Sequence, residues 1–336
     1  MTSMIDDLTK PLSLPDPTEK VSVVQTHISM VFVADEFVYK VKKPVNFGFL
    51  DFSTLEKRKH FCHSEVELNR RLSGDIYVDV LPIIFDGTRY TLTGEEGEIA
   101  EYAVKMKRIP ERQLMKSVFE RGALTGHHLQ EIARVLADFH ANTETDSEIE
   151  EFGKPFRFKV NTDENFDQVE KYLGITIDRE VFECLKLWTS DFYSLNSELF
   201  ARRIKSGRIR DCHGDLHMEH VCFTTPPVVI DCIEFNERFR FSDTISDIAF
   251  LLMDLEFHGG REHADELWRI YKGLAGEEDV EDLLTFYKVY RAFVRGKVNS
   301  FQIDDDHISG DEKEAALQRA KKYFDLAFSY VNKQSP

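Results

Sequence analysis

The sequence predicts an α+β chain of two lobes: a small β-rich N-terminal lobe with one helix, residues 1–108, and a larger, mainly helical C-terminal lobe, residues 109–336. Three observations predict it. Apolar runs bounded by turn residues dominate the first hundred positions, helical periodicity dominates the remainder, and the texture changes at Ile109-Pro110. With 336 residues, 42% hydrophobic and 31% charged, the chain is globular in composition and long enough to bury a core.

The elements follow in order. "MVFVADEFVYKVKKP" (30–44) reads as two strands turning at Asp35-Glu36, and "VLPIIFDGTRYTLTG" (80–94) as a second hairpin around Asp86-Gly87. "IAEYAVKMKRI" (99–109) alternates as another strand. Between the hairpins, "STLEKRKHFCHSEVELNRRL" predicts one long helix, with Ser53 and Glu56 in a capping-box pattern and Gly74 after its end. Thr125 is the expected N-cap of a helix carrying Leu129, Ile132, Leu136 and Phe139. Residues 144–166, acidic and irregular, read as a loop. Helices are expected at about 178–206, 244–257, 261–273, 279–301 and 311–332. "HVCFTTPPVVIDCIEF" interrupts them with two short strands around Pro226-Pro227.

Net charge is −17, from 43 basic and 60 acidic side chains, a surface that repels nucleic acid and anionic membranes. Neither is expected as a partner. "MTSMIDDLTKPLSLPDPTEK" lacks the apolar stretch of a signal peptide, and no run of about 18 apolar residues is present. Five cysteines without framework spacing suit a reducing compartment, so a cytoplasmic location is expected.

"CHGDLHMEHVCF" (212–223) packs three histidines, two cysteines, an aspartate and a glutamate into twelve positions. A transition-metal site on Cys212, His213, His217, His220 and Cys222 is one reading, but neither C-x-x-C nor H-E-x-x-H occurs. A phosphoryl-transfer loop is the other. In "HGDLH", Asp215 can accept a proton from an acceptor hydroxyl; sixteen residues on, the apolar strand "VVIDCIEF" delivers Asp231, placed to hold Mg²⁺ against phosphate oxygens. Upstream, Lys40 and Lys42 share one strand face, and the long helix offers Glu65 or Glu67 to fix a phosphate-binding lysine. No GxxxxGK[ST] occurs, which removes a P-loop ATPase.

These motifs resemble the aminoglycoside phosphotransferase and choline kinase-like superfamily, which has a bilobal protein-kinase-like fold. The matching residues are "VYKVK" (38–42), "EVELNRRL" (65–72), "HGDLH" (213–217), "IDCIEF" (230–235) and "SDIAFLLMDLE" (246–256), with Asp247-Ile248-Ala249 matching the family's Asp-Leu-Ala. The segments "THISMVFVADEFVYKVKKPVNFGFLDFSTLEKRKHFC" and "CIEFNERFRFSDTISDIAFLLMDLE" look like a poorly characterised bacterial branch, some of whose members are fused to a P-loop domain.

The resemblance implies an ATP-dependent kinase that transfers the γ-phosphoryl to a small-molecule hydroxyl. Asp215 resembles the catalytic base and His213 the brace of its loop. Asp231 resembles the Mg²⁺ ligand, Lys40 the phosphate-binding lysine with Lys42 its rival, and Glu65 the ion-pair partner. "KMKRIP" (105–110), with Lys107 and Ile109, resembles the adenine-binding hinge. Two departures stand out. His220 holds the position of a metal-binding asparagine, so Glu219 or Glu234 could substitute, or Mn²⁺ be tolerated. "QTHISM" (25–30) replaces a glycine-rich loop. Both leave open a nucleotide-binding pseudokinase, and the histidines a metal-dependent hydrolase. The acceptor site is expected in the helical lobe, on an acidic face suited to a cationic or neutral acceptor.

Overall fold

The apolar runs of the N-terminal lobe pair into one antiparallel sheet in the computed structural model, which describes residues 3–94, 96–305 and 308–332. The chain divides into two compact units, residues 1–121 with 220–237 and residues 122–219 with 238–336. The sequence places a single boundary after residue 108; the first unit runs on to 121 and takes back the segment carrying Asp231.

The first unit opens with α1 (Met4–Leu8) and the strands β1 (Ser22–Gln25), β2 (Ser29–Val33) and β3 (Phe37–Lys42). Next come α2 (Leu55–Ser73), β4 (Tyr77–Phe85), β5 (Tyr90–Thr91), β6 (Glu98–Lys107) and the short α3 (Met115–Glu120). The sheet order is β1-β2-β3-β6-β4-β5. Both expected hairpins are present, with Val33 opposite Val38 and Phe85 opposite Tyr90. Asp86 Oδ1 accepts from the Thr88 and Arg89 amides at 2.8 and 3.0 Å, and Gly87 takes φ +93°, which closes the second turn. The long helix forms one residue later than its capping pattern suggests. Thr54 is its N-cap, accepting from the Lys57 amide at 3.3 Å, because Ser53 spends its amide and hydroxyl on Asp51.

Alternation along β3 decides what each face does. Tyr39 and Val41 point into an apolar cluster with Leu8, Leu14, Phe32, Ile83 and Ala103. Lys40 and Lys42 point the other way, to the face where Cys62 and Val66 of α2 pack on Tyr77 and Val104.

The second unit begins with α4 (Gly126–Asn142), capped by Thr125 as expected. Residues 144–166, expected as a loop, instead contain α5 (Ser147–Glu151) and most of α6 (Pro155–Val169). Asp146 caps the first through the Glu148 and Ile149 amides at 2.8 Å, and Pro155 opens the second. The buried face of α6 mixes Phe158, Phe166 and Val169 with Asn161, Thr162 and Asn165, which weakens its apolar period. The expected helix at 178–206 is two, α7 (Arg179–Leu195) and α8 (Ser197–Lys205), broken at Asn196. Strand β7 (Ile209–Asp211) then leads into the 212–219 loop.

The chain returns to the first unit for β8 (Val221–Cys222) and β9 (Val228–Val229), the hairpin expected around Pro226-Pro227. It re-enters the second unit through α9 (Glu237–Arg240) and β10 (Phe241–Asp243), which pairs with β7. Helices α10 (Thr244–Phe257), α11 (Arg261–Ala275), α12 (Glu281–Gln302) and α13 (Gly310–Asn332) complete it. α10 is buried along nearly its whole length, and Phe250 and Met253 pack against Val289, Phe293, Tyr323 and Phe324. A β-carbon at Gly296 would meet the Phe324 ring at 2.7 Å, so α12 and α13 approach closely there because the side chain is absent.

Candidate active site

In the first unit, β3 and α2 bring a buried charge network together. Glu65 is fully buried and shared: Lys42 donates to Oε2 at 2.6 Å, and the Lys40 ammonium lies 2.9 Å from Oε1, off the hydrogen-bonding direction. Lys40 also donates to Asp231 Oδ1 at 2.6 Å, and Lys42 to the carboxylate of Glu234. Burial alone would lower both lysine pKa values. The charges of Asp231 and Glu65 on Lys40, and of Glu234 and Glu65 on Lys42, outweigh it and keep both cationic. Burial pushes Glu65 up, but the two ammonium groups hold it below the usual carboxylate range. Glu67, the alternative partner, is exposed.

Asp231 ends β9's extension in the left-handed region, φ +63°, where few residues other than glycine settle unless surrounding groups hold them. Two side chains do so: the Asp231 amide donates to the Tyr77 hydroxyl at 3.1 Å, and the Cys232 amide to Asn69 Oδ1 at 2.8 Å. The result is a carboxylate that is 42% exposed, with Oδ1 on Lys40 and Oδ2 3.5 Å from His220 Nε2. Of the three expected metal ligands, Asp231 and His220 are therefore neighbours, whereas Glu234 is turned onto Lys42 with 6% of its side chain exposed. In the segment 105–110, expected as the hinge, the Lys107 side chain pairs with Asp75 and its amide bonds Ile76; the Ile109 amide is engaged by no hydrogen bond among the described residues.

In the second unit, the loop bearing Asp215 is fastened to α10. Asp247 accepts from the His213 amide at 2.6 Å and the Gly214 amide at 2.9 Å, and Asp254, two helical turns on, accepts from the Met218 amide at 3.0 Å. Burial would raise Asp247, but its bond to His140 and the charges of His140, His213 and Arg291 outweigh burial and lower it to about 2. Arg291 of α12 adds a third fastening, donating to the Gly214 carbonyl at 2.7 Å, while Gly214 itself needs φ +87°. His213 is fully buried, and its Nδ1 accepts from the Asp215 amide at 3.2 Å. Asp215 keeps 36% of its side chain exposed, 3.6 Å from His217 Nε2. Cys212 and Cys222 are buried thiols whose pKa burial pushes up, and the Cys212 Sγ lies within 4.8 Å of ligand atoms of His140 and Asp247.

Sequence reasoning missed Asn69, Tyr77, Asp254 and Arg291. The seven-residue spacing of Asp247 and Asp254 could have exposed the second fastening; the other three become meaningful only once distant segments meet.

Residues 49–283 match the model of the phosphotransferase enzyme family. The chain belongs to that family. Uncharacterized proteins of Mycobacterium tuberculosis and Mycobacterium bovis are 33% identical over 279 residues, covering 83% of this chain and 54% of theirs. The chain thus spans about half the length of the curated relatives it matches. Among solved structures, a proposed aminoglycoside phosphotransferase of Ralstonia eutropha matches with a TM-score of 0.54 at 14% identity, over 96% of this chain and 95% of that one. A choline/ethanolamine kinase family protein of Mesorhizobium loti matches with a TM-score of 0.50 at 13% identity, over 94% and 93%. The fold is therefore the mixed α+β, kinase-like bilobal fold expected from the sequence.

Proposed function

We propose that this member of the family is an ATP-dependent phosphotransferase that moves the γ-phosphoryl group to a hydroxyl of a small molecule. One observation carries the reading: Glu65, wholly buried, holds two strand lysines beside Asp231, whose left-handed backbone turns its carboxylate outward. Such a network assembles positive charge for phosphates next to a carboxylate for their cation. Lys40 and Lys42 would carry the phosphates, Lys40 exchanging Asp231 for them, and the free Ile109 amide would take the adenine edge, with Lys107 closing the hinge.

The donors around Asp231 fit a divalent cation. One exposed carboxylate with an adjacent imidazole leaves most of the coordination to phosphate oxygens and water, as Mg²⁺ prefers, and His220 makes Mn²⁺ acceptable as well. Bound there, the ion would neutralise phosphate charge. Glu234 stays with Lys42 in this reading. In the second unit, Asp215 would take the hydroxyl proton as the acceptor oxygen bonds to phosphorus and the bond from phosphorus to the β,γ-bridging oxygen breaks, releasing ADP. His213, Asp247 and Arg291 hold the loop in position for that transfer.

A nucleotide-binding pseudokinase is the second reading, favoured by His220 at the metal position and by the direct Lys40–Asp231 pair. Calorimetric titration of ATP with Mg²⁺ and then with EDTA, followed by turnover assays with a panel of hydroxyl acceptors, separates the two. The kinase reading expects Mg-dependent binding and a product that Asp215→Asn abolishes while nucleotide affinity holds. Binding without product in any assay would leave the pseudokinase, and no nucleotide binding would overturn both.

A further inference from the structure

Helix α10 meets the loop that carries Asp215 with three side chains of one face. Asp247, Phe250 and Asp254 lie three and four residues apart, so they stand in a row along the helix. The outer two take the His213, Gly214 and Met218 amides. Phe250, between them, packs its ring on the imidazole of His217, 5.6 Å between centres. His217 is thereby placed behind Asp215: its side chain is 3% exposed, while that of Asp215 is 36% exposed.

The backbone settles which ring nitrogen of His217 carries a proton. Nδ1 accepts from the Glu219 amide at 3.4 Å, so in the neutral imidazole the proton sits on Nε2. Nε2 in turn lies 3.6 Å from Asp215 Oδ2, roughly 0.5 Å beyond hydrogen-bonding reach. A donor with a packed ring and a fixed tautomer therefore faces one oxygen of an exposed carboxylate. Packing against Phe250 requires neither the donor nor the tautomer; a phenyl ring would serve it. A carboxylate, by contrast, turns easily about its last torsion, and a base that turns does not keep a lone pair aimed at the proton it must remove.

We propose that His217 is a positioning residue for the phosphoryl transfer: its Nε2–H closes on Asp215 Oδ2 when the acceptor binds and leaves Oδ1 aimed at the acceptor hydroxyl. The proposal rests on the phosphotransferase reading above and adds to it the group that orients the base. Contacts of this kind are commonly long before substrate binds and tighten around it. Oδ1 takes the hydroxyl proton, Oδ2 goes on accepting from His217, and the imidazole neither gains nor loses a proton. His217 touches no reacting atom; it acts through Asp215.

Two substitutions separate the two nitrogens of the ring. His217→Gln keeps an amide donor near the Nε2 position without the Nδ1 acceptor, and His217→Asn keeps an acceptor near Nδ1 without the donor towards Asp215. The measurement is ADP release from MgATP by the full chain, with water and a panel of hydroxyl compounds as acceptors. His217→Asn is expected to lower kcat by about tenfold to a hundredfold with the KM for ATP held within about twofold, and His217→Gln to stay within about threefold of the parent in kcat. Equal kcat for the two variants, or a larger loss in His217→Gln, overturns the proposal. Should either variant melt far below the parent, the unsubstituted chain decides through long-range ¹⁵N–¹H correlation of its labelled histidines above neutral pH. The expected spectrum shows His217 as the Nε2–H tautomer, with that signal shifted by Asp215→Asn. An Nδ1–H tautomer, or a signal indifferent to Asp215→Asn, overturns the proposal. No ADP release by the parent with any acceptor defeats the phosphotransferase reading instead, and the spectrum still decides whether His217 holds Asp215.

Discussion

Asp231 shows at a single residue how the chain trades local comfort for a site. Its positive φ is tolerated because Tyr77 and Asn69 take up the flanking amides and Lys40 takes the carboxylate. Replacing Asn69 with Ala leaves the Cys232 amide buried without an acceptor, so a loss of about 1–3 kcal/mol is expected in denaturant melts, with weaker Mg-dependent nucleotide binding. Glu65 is the more demanding case. Glu65→Gln removes the one charge that buried Lys42 and half-buried Lys40 share, and a cost of about 3–5 kcal/mol is expected, measurable as a lowered urea midpoint at unchanged slope. A variant as stable as the parent would mean that Asp231 and Glu234 alone neutralise the lysines.

Elements explain which parts of this protein were legible beforehand. β3 and α2 follow simple periods, so Lys40, Lys42 and Glu65 could be placed on facing surfaces from the sequence. α6 could not, because its buried face carries Asn161, Thr162 and Asn165, whose partners come from elsewhere in the chain. The loop at Asp215 was legible as chemistry, but its fastening to Asp254 and Arg291 belongs to the tertiary arrangement of α10 and α12. A prediction for α12 follows from Lys297. Burial lowers its pKa from 10.5 to about 8, with Glu164 pulling it up and Arg238 pushing it down. The unfolded chain holds that proton more tightly, so this residue costs stability at neutral pH, and the cost is relieved as pH rises from about 8 towards 10.5. Lys297→Met should therefore raise stability at pH 7 by roughly 1–3 kcal/mol and lose part of that advantage by pH 10. Equal stabilisation at both pH values would show that its charge is already compensated.

For the molecule as a whole, acid and salt act on different charges. Asp247 is buried under the loop that carries Asp215, and its pKa of about 2 lies below its ordinary value of 3.8. The folded state therefore gains stability from it above pH 3.8, and loses that gain as pH falls from 3.8 to about 2, when the His213 and Gly214 amides lose their charged acceptor. Glu65, also lowered, loses its contribution in the same direction below its ordinary 4.5. Salt acts chiefly on the exposed excess of 60 acidic over 43 basic side chains, which repel one another over a distance that shrinks from about 30 Å at 0.01 M to about 8 Å at 0.15 M ionic strength. The buried pairs at Glu65 and Asp247 are screened far less. Adding sodium chloride from 0.01 to 0.15 M at pH 7.5 is thus expected to raise the melting temperature by about 1–2 °C, which is what 1 kcal/mol supplies in a chain of this length. Near pH 5.2, the isoelectric point, where the net charge is close to zero, the same addition should change it little. A melting temperature that falls with salt at pH 7.5 would mean that exposed ion pairs such as Lys57–Asp51 and Lys171–Asp304 outweigh the net repulsion, contrary to the small contribution such pairs ordinarily make.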